Sequence, residues 1–328
     1  MNSARLRFFI VICFLCPLSI LAAGGSTGDL RPGRNNVEFD HQGRTRTVVI
    51  MVPRTTAIPP EGWPLVMMLH GGGGSSENVI ESTGWAELGE QQRIVTVFPN
   101  GTPADESRPQ SFSRNPQTWN SGATESLSSG PRSAAAKKID DVGFLTKLIE
   151  RVCRQLKIDP RRIYVAGHSN GAQMAYLFGS EQQNRVAAVG VMAGHSYARR
   201  EKVESPVSLL QIVGDQDPFT PMGGGKAGIL GRTATVAPAL EAPQRWAKSL
   251  GIFEEAKIER DDDTSTVRSW GPAESGAEVR SIVVKGHGHA YLSRQDRFHP
   301  AILFGPTVNS INATETMWEF FTQHPKPK

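Results

Sequence analysis

The chain has 328 residues, 33 of them glycine and 22 proline, with 36 basic side chains against 32 acidic ones. A formal charge of +4 over that length is too balanced to imply nucleic acid or an acidic polymer as partner. The three cysteines, Cys13, Cys16 and Cys153, are too few for a disulfide framework.

Residues 1–24 read as a signal peptide, which places the mature protein outside the cell or in a periplasm. Arg5 and Arg7 give a positive start, 8–21 is apolar, and the small residues Ala22, Ala23 and Gly24 follow. An uncleaved anchor is the alternative. A lipoprotein is discounted, because Ile12 and Leu15 stand before Cys13 and Cys16 where a small residue is required. Losing Arg5 and Arg7 with this segment leaves a charge of +2 on about 300 residues, enough for one large α/β domain. Cys13 and Cys16 leave as well, and Cys153 is expected as a buried small apolar side chain. No later stretch is apolar enough for stable membrane insertion.

Residues 25–44 read as a flexible lead-in, and 45–328 as the catalytic domain. Strands are expected at 45–53, 64–69, 94–98, 162–166, 187–193, 207–213 and 279–284. Helices are expected at 85–92, 140–156, 172–178, 242–250 and 314–322, with Asp140 capping the second. The run 64–69 is apolar throughout, as in a strand buried on both faces of a parallel sheet, and 162–166 reads as a short buried strand. Strands separated by helices call for a mostly parallel central sheet with helices on both faces, an α/β fold. Two loops interrupt the alternation, 101–138 and 222–238, each leaving the carboxyl end of a strand, where open α/β sheets bind ligands. Both are expected to shape the substrate cleft, with Trp119 as a candidate wall, although most of 101–138 reads as disordered surface loop.

The chain's centre is Gly167-His168-Ser169-Asn170-Gly171, between an apolar strand and a helix-like run. Gly-x-Ser-x-Gly at such a corner is a nucleophile elbow, which lifts the serine hydroxyl above the sheet. Isolated, the same five residues would read as an ordinary turn. A serine hydroxyl needs a base, and the base an orienting acid, expected downstream in the order acid, then histidine. The strand 207–213 runs into Gly214-Asp215-Gln216-Asp217-Pro218, from which Asp217 is preferred as the acid over Asp215. The strand 279–284 runs into Gly286-His287-Gly288-His289-Ala290, from which His289 is preferred as the base over His287. His168 is given a supporting role at most. A metal reading of these histidines lacks a third ligand nearby. The oxyanion needs two preorganised N–H donors. One is that of Asn170; the other belongs to the run after His70, with Gly72 preferred over Gly71 or Gly73.

Taken together, Leu69-His70-Gly71, Trp119-Asn120, Asp140-Asp141-Val142-Gly143-Phe144, the elbow, 214–218 and 286–290 stand in the order of one family. The chain resembles, over about 45–321, the secreted polyhydroxybutyrate depolymerase and feruloyl esterase group of the α/β-hydrolase superfamily, whose relatives include acetyl xylan esterases of carbohydrate esterase family 1. The resemblance implies the same triad, Ser169, Asp217 and His289, with oxyanion donors at Gly72 and Asn170. Gly72 stands where relatives commonly have cysteine, Ser121 where they have an aromatic residue, and Tyr291-Leu292 where they often have Trp-Pro. Those departures leave the triad intact and fall on the binding surface. The implied activity is that of a serine carboxylesterase with no cofactor, acting on feruloyl or acetyl esters of polysaccharide or on hydroxyalkanoate polyester. A serine peptidase of prolyl-oligopeptidase type would need an upstream propeller, which this sequence lacks. A non-catalytic, polymer-binding hydrolase fold is disfavoured because every catalytic position holds a competent residue.

Overall fold

The computed structural model describes residues 28–55, 57–123, 130–198, 205–229, 232–293 and 301–327. The expected leader over 1–24 lies outside them. The chain opens with the antiparallel pair β1 (Gly33–His41) and β2 (Arg44–Val52), then β3 (Trp63–Leu69), helices α1 (Ser76–Thr83) and α2 (Trp85–Gln92), and β4 (Val95–Pro99). A small pair, β5 (Thr102–Pro103) and β6 (Gln117–Thr118), precedes α3 (Asp141–Gln155), β7 (Ile158–His168), α4 (Asn170–Glu181), β8 (Ala188–Met192) and β9 (Ser208–Gly214). The hairpin β10 (Gly225–Ile229) and β11 (Arg232–Val236), helix α5 (Glu241–Ser249), β12 (Lys257–Asp261), β13 (Ser265–Trp270) and β14 (Val279–Val284) follow. Helices α6 (Ala301–Phe304) and α7 (Ala313–Gln323) close the chain.

Ten strands form one sheet in the order β1-β2-β4-β3-β7-β8-β9-β14-β13-β12. The six from β4 to β14 in that order are parallel, and the strands at both flanks are antiparallel. Each parallel strand feeds side chains alternately to two faces. In β3, Leu65, Met67 and Leu69 join the core under α3, α4 and α5, while Val66 and Met68 join the core under α2 and α7. Burial on both faces is why these strands read as unbroken apolar runs.

The lead-in expected over 25–44 is corrected from Gly33 onward: 33–41 is the edge strand β1, in register with β2. Its composition is polar because an edge strand buries little, here Gly33, Val37 and His41. Among the described residues of 101–138 the expected disorder is also absent. Asn115 Nδ2–H donates to the carbonyls of Asp105, Arg108 and Pro109 and ties the loop to itself. Cys153, expected buried, is exposed on the outer face of α3.

Candidate active site

Four parallel strands deliver the candidate residues to one sheet edge: Gly72 follows β3, Ser169 follows β7, Asp217 follows β9 and His289 follows β14. Ser169 turns β7 into α4 within one residue, at φ 53° and ψ −119°. A non-glycine residue there costs on the order of 1–3 kcal/mol, so the surroundings must hold it. They do so by close approach. A Cβ on Gly167 would lie 2.3 Å from the carbonyl oxygen of Gly171, and one on Gly171 would lie 2.2 Å from that of Leu69. The Ser169 N–H donates to the Met192 carbonyl at 2.9 Å, fixing the corner to β8.

Ser169 Oγ is 2.9 Å from His289 Nε2, and His289 Nδ1 is 2.8 Å and 3.0 Å from the two carboxylate oxygens of Asp217. With Nδ1–H donating to the carboxylate, Nε2 is left as the acceptor for the serine hydroxyl. Burial by itself would raise the Asp217 carboxyl. The His289 ring and the backbone N–H groups of Phe219 and Thr220 outweigh it and hold the pKa below the ordinary carboxylate value. The imidazole is flanked by Phe219, with ring centroids 4.5 Å apart, and by Phe304 at 6.3 Å.

The alternatives sit elsewhere. Asp215 accepts the N–H of Gly286, tying the acid turn to the histidine loop. His287 is fully buried and donates from Nε2 to the Ala290 carbonyl. His168 donates from Nε2 to the backbone carbonyl of His289 at 2.8 Å, and so steadies the loop that carries the base.

Gly72 and Asn170 line the same pocket as Ser169. The Gly73 N–H is already donated to the Gln117 carbonyl at 2.8 Å, and that of Gly74 to the Gly71 carbonyl. Among the described residues the Gly72 N–H has no such partner. The Asn170 N–H opens α4, where the first turn lacks intrahelical acceptors. Sequence reasoning gave His70 no role, yet it braces this loop. Its Nδ1–H donates to the Gly71 carbonyl at 2.7 Å while Nε2 accepts the Gly101 N–H at 2.9 Å. That pairing requires the neutral ring, and burial pushes its pKa down to about 4, against the raising effect of the Gly71 bond.

Trp119 is not a cleft wall. It is 1% exposed, its indole N–H donates to the His70 carbonyl at 2.9 Å, and its backbone N–H donates to the Asn170 side chain at 2.7 Å. Its indole ring is spent inside the core, because the chain enters from β6 with that face turned inward. What does face the pocket, of about 640 Å³, comes from both interrupting loops: Phe112, Arg114, Pro116 and Arg132 from the first, Val236 from the second. His195, which the sequence gave no reason to single out, also lines it. Its Nε2–H donates to the Phe219 carbonyl at 3.0 Å, and burial lowers its pKa.

Among the described residues no cluster of three or more His, Cys, Asp or Glu side chains could hold a metal ion, and none of their helices is long and apolar enough to cross a membrane.

A family model described as "Putative esterase" matches residues 40–282. The chain is 25% identical over 296 residues to putative esterase NocK of Nocardia uniformis subsp. tsuyamanensis, covering 85% of this chain and 79% of that protein. It is 24% identical over 230 residues to feruloyl esterase B of Piromyces equi, covering 61% of this chain but only 42% of that longer protein. Among solved structures, an acetyl xylan esterase from Aspergillus awamori superposes with a TM-score of 0.54 at 14% identity, covering 85% of this chain and 94% of the other, a likeness of fold.

Proposed function

The chain belongs to the Esterase family and is a carboxylic ester hydrolase of α/β-hydrolase fold; on that premise we propose that it works through an acyl-enzyme formed on Ser169. The observation that carries this reading is the 2.9 Å hydrogen bond from the Ser169 hydroxyl to His289 Nε2, with Asp217 holding the far side of the ring. Ser169 Oγ attacks the ester carbonyl as His289 takes its proton, and Asp217 stabilises the imidazolium that forms. The oxyanion meets the N–H groups of Gly72 and Asn170, each such donor being worth about 3 kcal/mol in the transition state. His289 then protonates the leaving alcohol. Water, giving its proton to the same nitrogen, attacks the acyl-enzyme, and collapse returns the proton to Ser169 Oγ and frees the acid.

The substrate is an ester on a polysaccharide, feruloyl or acetyl, or a hydroxyalkanoate polyester, and the protein is exported by its first 24 residues. The feruloyl and acetyl choices are supported by what the relatives above are named for. Purified protein should hydrolyse p-nitrophenyl acetate, and Ser169→Ala should reduce the rate to the uncatalysed background. Equal rates for both proteins would remove the serine mechanism. Methyl ferulate release, deacetylation of acetylated xylan and clearing of polyhydroxybutyrate, run on one preparation, distinguish the substrates, and the preparation's appearance in culture medium or periplasm tests export.

A further inference from the structure

The pocket that holds Ser169 and His289 is also lined by Arg114 and Arg132, both on the 101–138 loop and both exposed. Among the described residues that line it, none is an Asp or Glu. Two other cations of this loop are engaged: Arg108 lies 3.5 Å from Asp105, and Lys137 lies 3.6 Å from Glu106 and donates to the carbonyls of Pro103 and Ala104, while Lys138 is exposed and does not line the pocket. Glu106 is further paired with Arg44 from β2, and Asp105 accepts from Ser107. The loop's two described acids are thus occupied within the fold. Arg132 acts on Asp105 only as a weak, longer-range attraction, and among the described residues Arg114 has no ion pair.

Two arginines, with no carboxylate among the other described lining residues, therefore line the space a substrate must enter. Resting on the esterase reading above, we propose that Arg114 and Arg132 select esters that carry a carboxylate away from the scissile bond, in either the acyl or the alcohol part. Arginine meets a carboxylate with a planar fork of N–H donors, two bonds at a time. A single exposed pair is worth little, but two like charges lining one concave wall raise the local concentration of an anionic substrate. A uronic-acid-bearing polysaccharide and the free acid end of a hydroxyacid chain both present that group.

The test compares anionic and neutral esters of matched size. Mono-4-nitrophenyl adipate against 4-nitrophenyl hexanoate places the charge on the acyl side. 4-Acetoxybenzoate against 4-tolyl acetate places it on the alcohol side. Intrinsic reactivity cancels when the anionic-to-neutral ratio of kcat/KM is compared between wild type and the double variant R114Q/R132Q. The expected result is a fall of about tenfold in that ratio for at least one pair, carried mostly by KM. The wild-type preference should also shrink as salt passes ~0.1 M, where the screening length is about 10 Å. An unchanged ratio in both pairs, with the neutral esters still hydrolysed, overturns the anion selectivity and leaves the esterase reading standing. No turnover of any of the four esters above that of Ser169→Ala overturns both.

Discussion

Asp217 shows how a single carboxylate is kept useful in a dry site. At 3% exposure it would favour the protonated form, and two backbone N–H donors together with the imidazole reverse that preference. Asp217→Asn keeps the shape but offers His289 Nδ1 an amide, which favours the wrong tautomer. The expected outcome is a fall of roughly 10⁴-fold in kcat with the fold retained, read by p-nitrophenyl acetate kinetics alongside a thermal melt. His70 poses the opposite case, a base kept neutral. Its pKa in the fold is about 4 against an ordinary 6.5. Between those values the unfolded chain binds a proton that the folded chain refuses, so stability falls as pH drops through that window. The loss is about 3 kcal/mol in all. In His70→Gln the stability lost between pH 6.5 and 4 should shrink accordingly, measured by urea unfolding across that range. An identical slope in the variant would show that the ring is not the group responsible.

At the scale of elements, the site depends on contacts made one layer behind it. The Arg46 guanidinium of β2 lies 2.8 Å from the Asp141 carboxylate at the start of α3, both side chains being buried. The other Asp141 oxygen accepts the backbone N–H of Asn120 at 2.7 Å. Burial pushes the Asp141 carboxyl up, opposed by Arg46 and by the Asn120 bond. This knot fixes the Trp119-Asn120 segment, and Trp119 in turn holds the His70 carbonyl and the Asn170 side chain. Asp141→Asn would strand a buried guanidinium at a cost of about 3–5 kcal/mol. It should lower the melting temperature, and it should weaken kcat through the oxyanion loop even though Asp141 touches no substrate. Denaturation and kinetics on the same protein check both.

At the scale of the whole molecule, the sheet divides the interior into two cores that differ in how they serve the site. The face under α3, α4 and α5 carries the elbow helix, while the face under α2 and α7 closes the far side with Trp85, Phe320 and Phe321. Phe321 stacks on Tyr164 with ring centroids 4.7 Å apart and coplanar to 1°. Phe321→Ala should cost about 3–5 kcal/mol while leaving KM for p-nitrophenyl acetate near its wild-type value, because α7 lies behind the sheet. A stability loss below 1 kcal/mol would mean that α7 can repack without the ring.

The elbow was legible in the sequence because its demands are local. Gly167, Ser169 and Gly171 must be those residues for a strand to become a helix in one step, and the apolar run of 64–69 announces a strand buried on both faces. Asp217 and His289 were legible for a related reason, since each follows a strand in a Gly-containing turn. The edge strand β1 was not legible, because a strand with one exposed face and few apolar residues carries almost no period-2 signal. Nor was the burial of Trp119, the service of His70 or the pairing of Arg46 with Asp141, each joining segments far apart in the chain. Sequence by itself thus determined the layered α/β order and the chemical types that meet at the sheet edge. Sequence preferred Asp217 over Asp215 and His289 over His287; tertiary structure brings that carboxylate to the imidazole and the imidazole to the serine, and it alone decided which way the loop over 101–138 turns its tryptophan and its arginines. Local patterns record what each element needs, whereas a contact across 70 residues leaves no periodic trace in the chain.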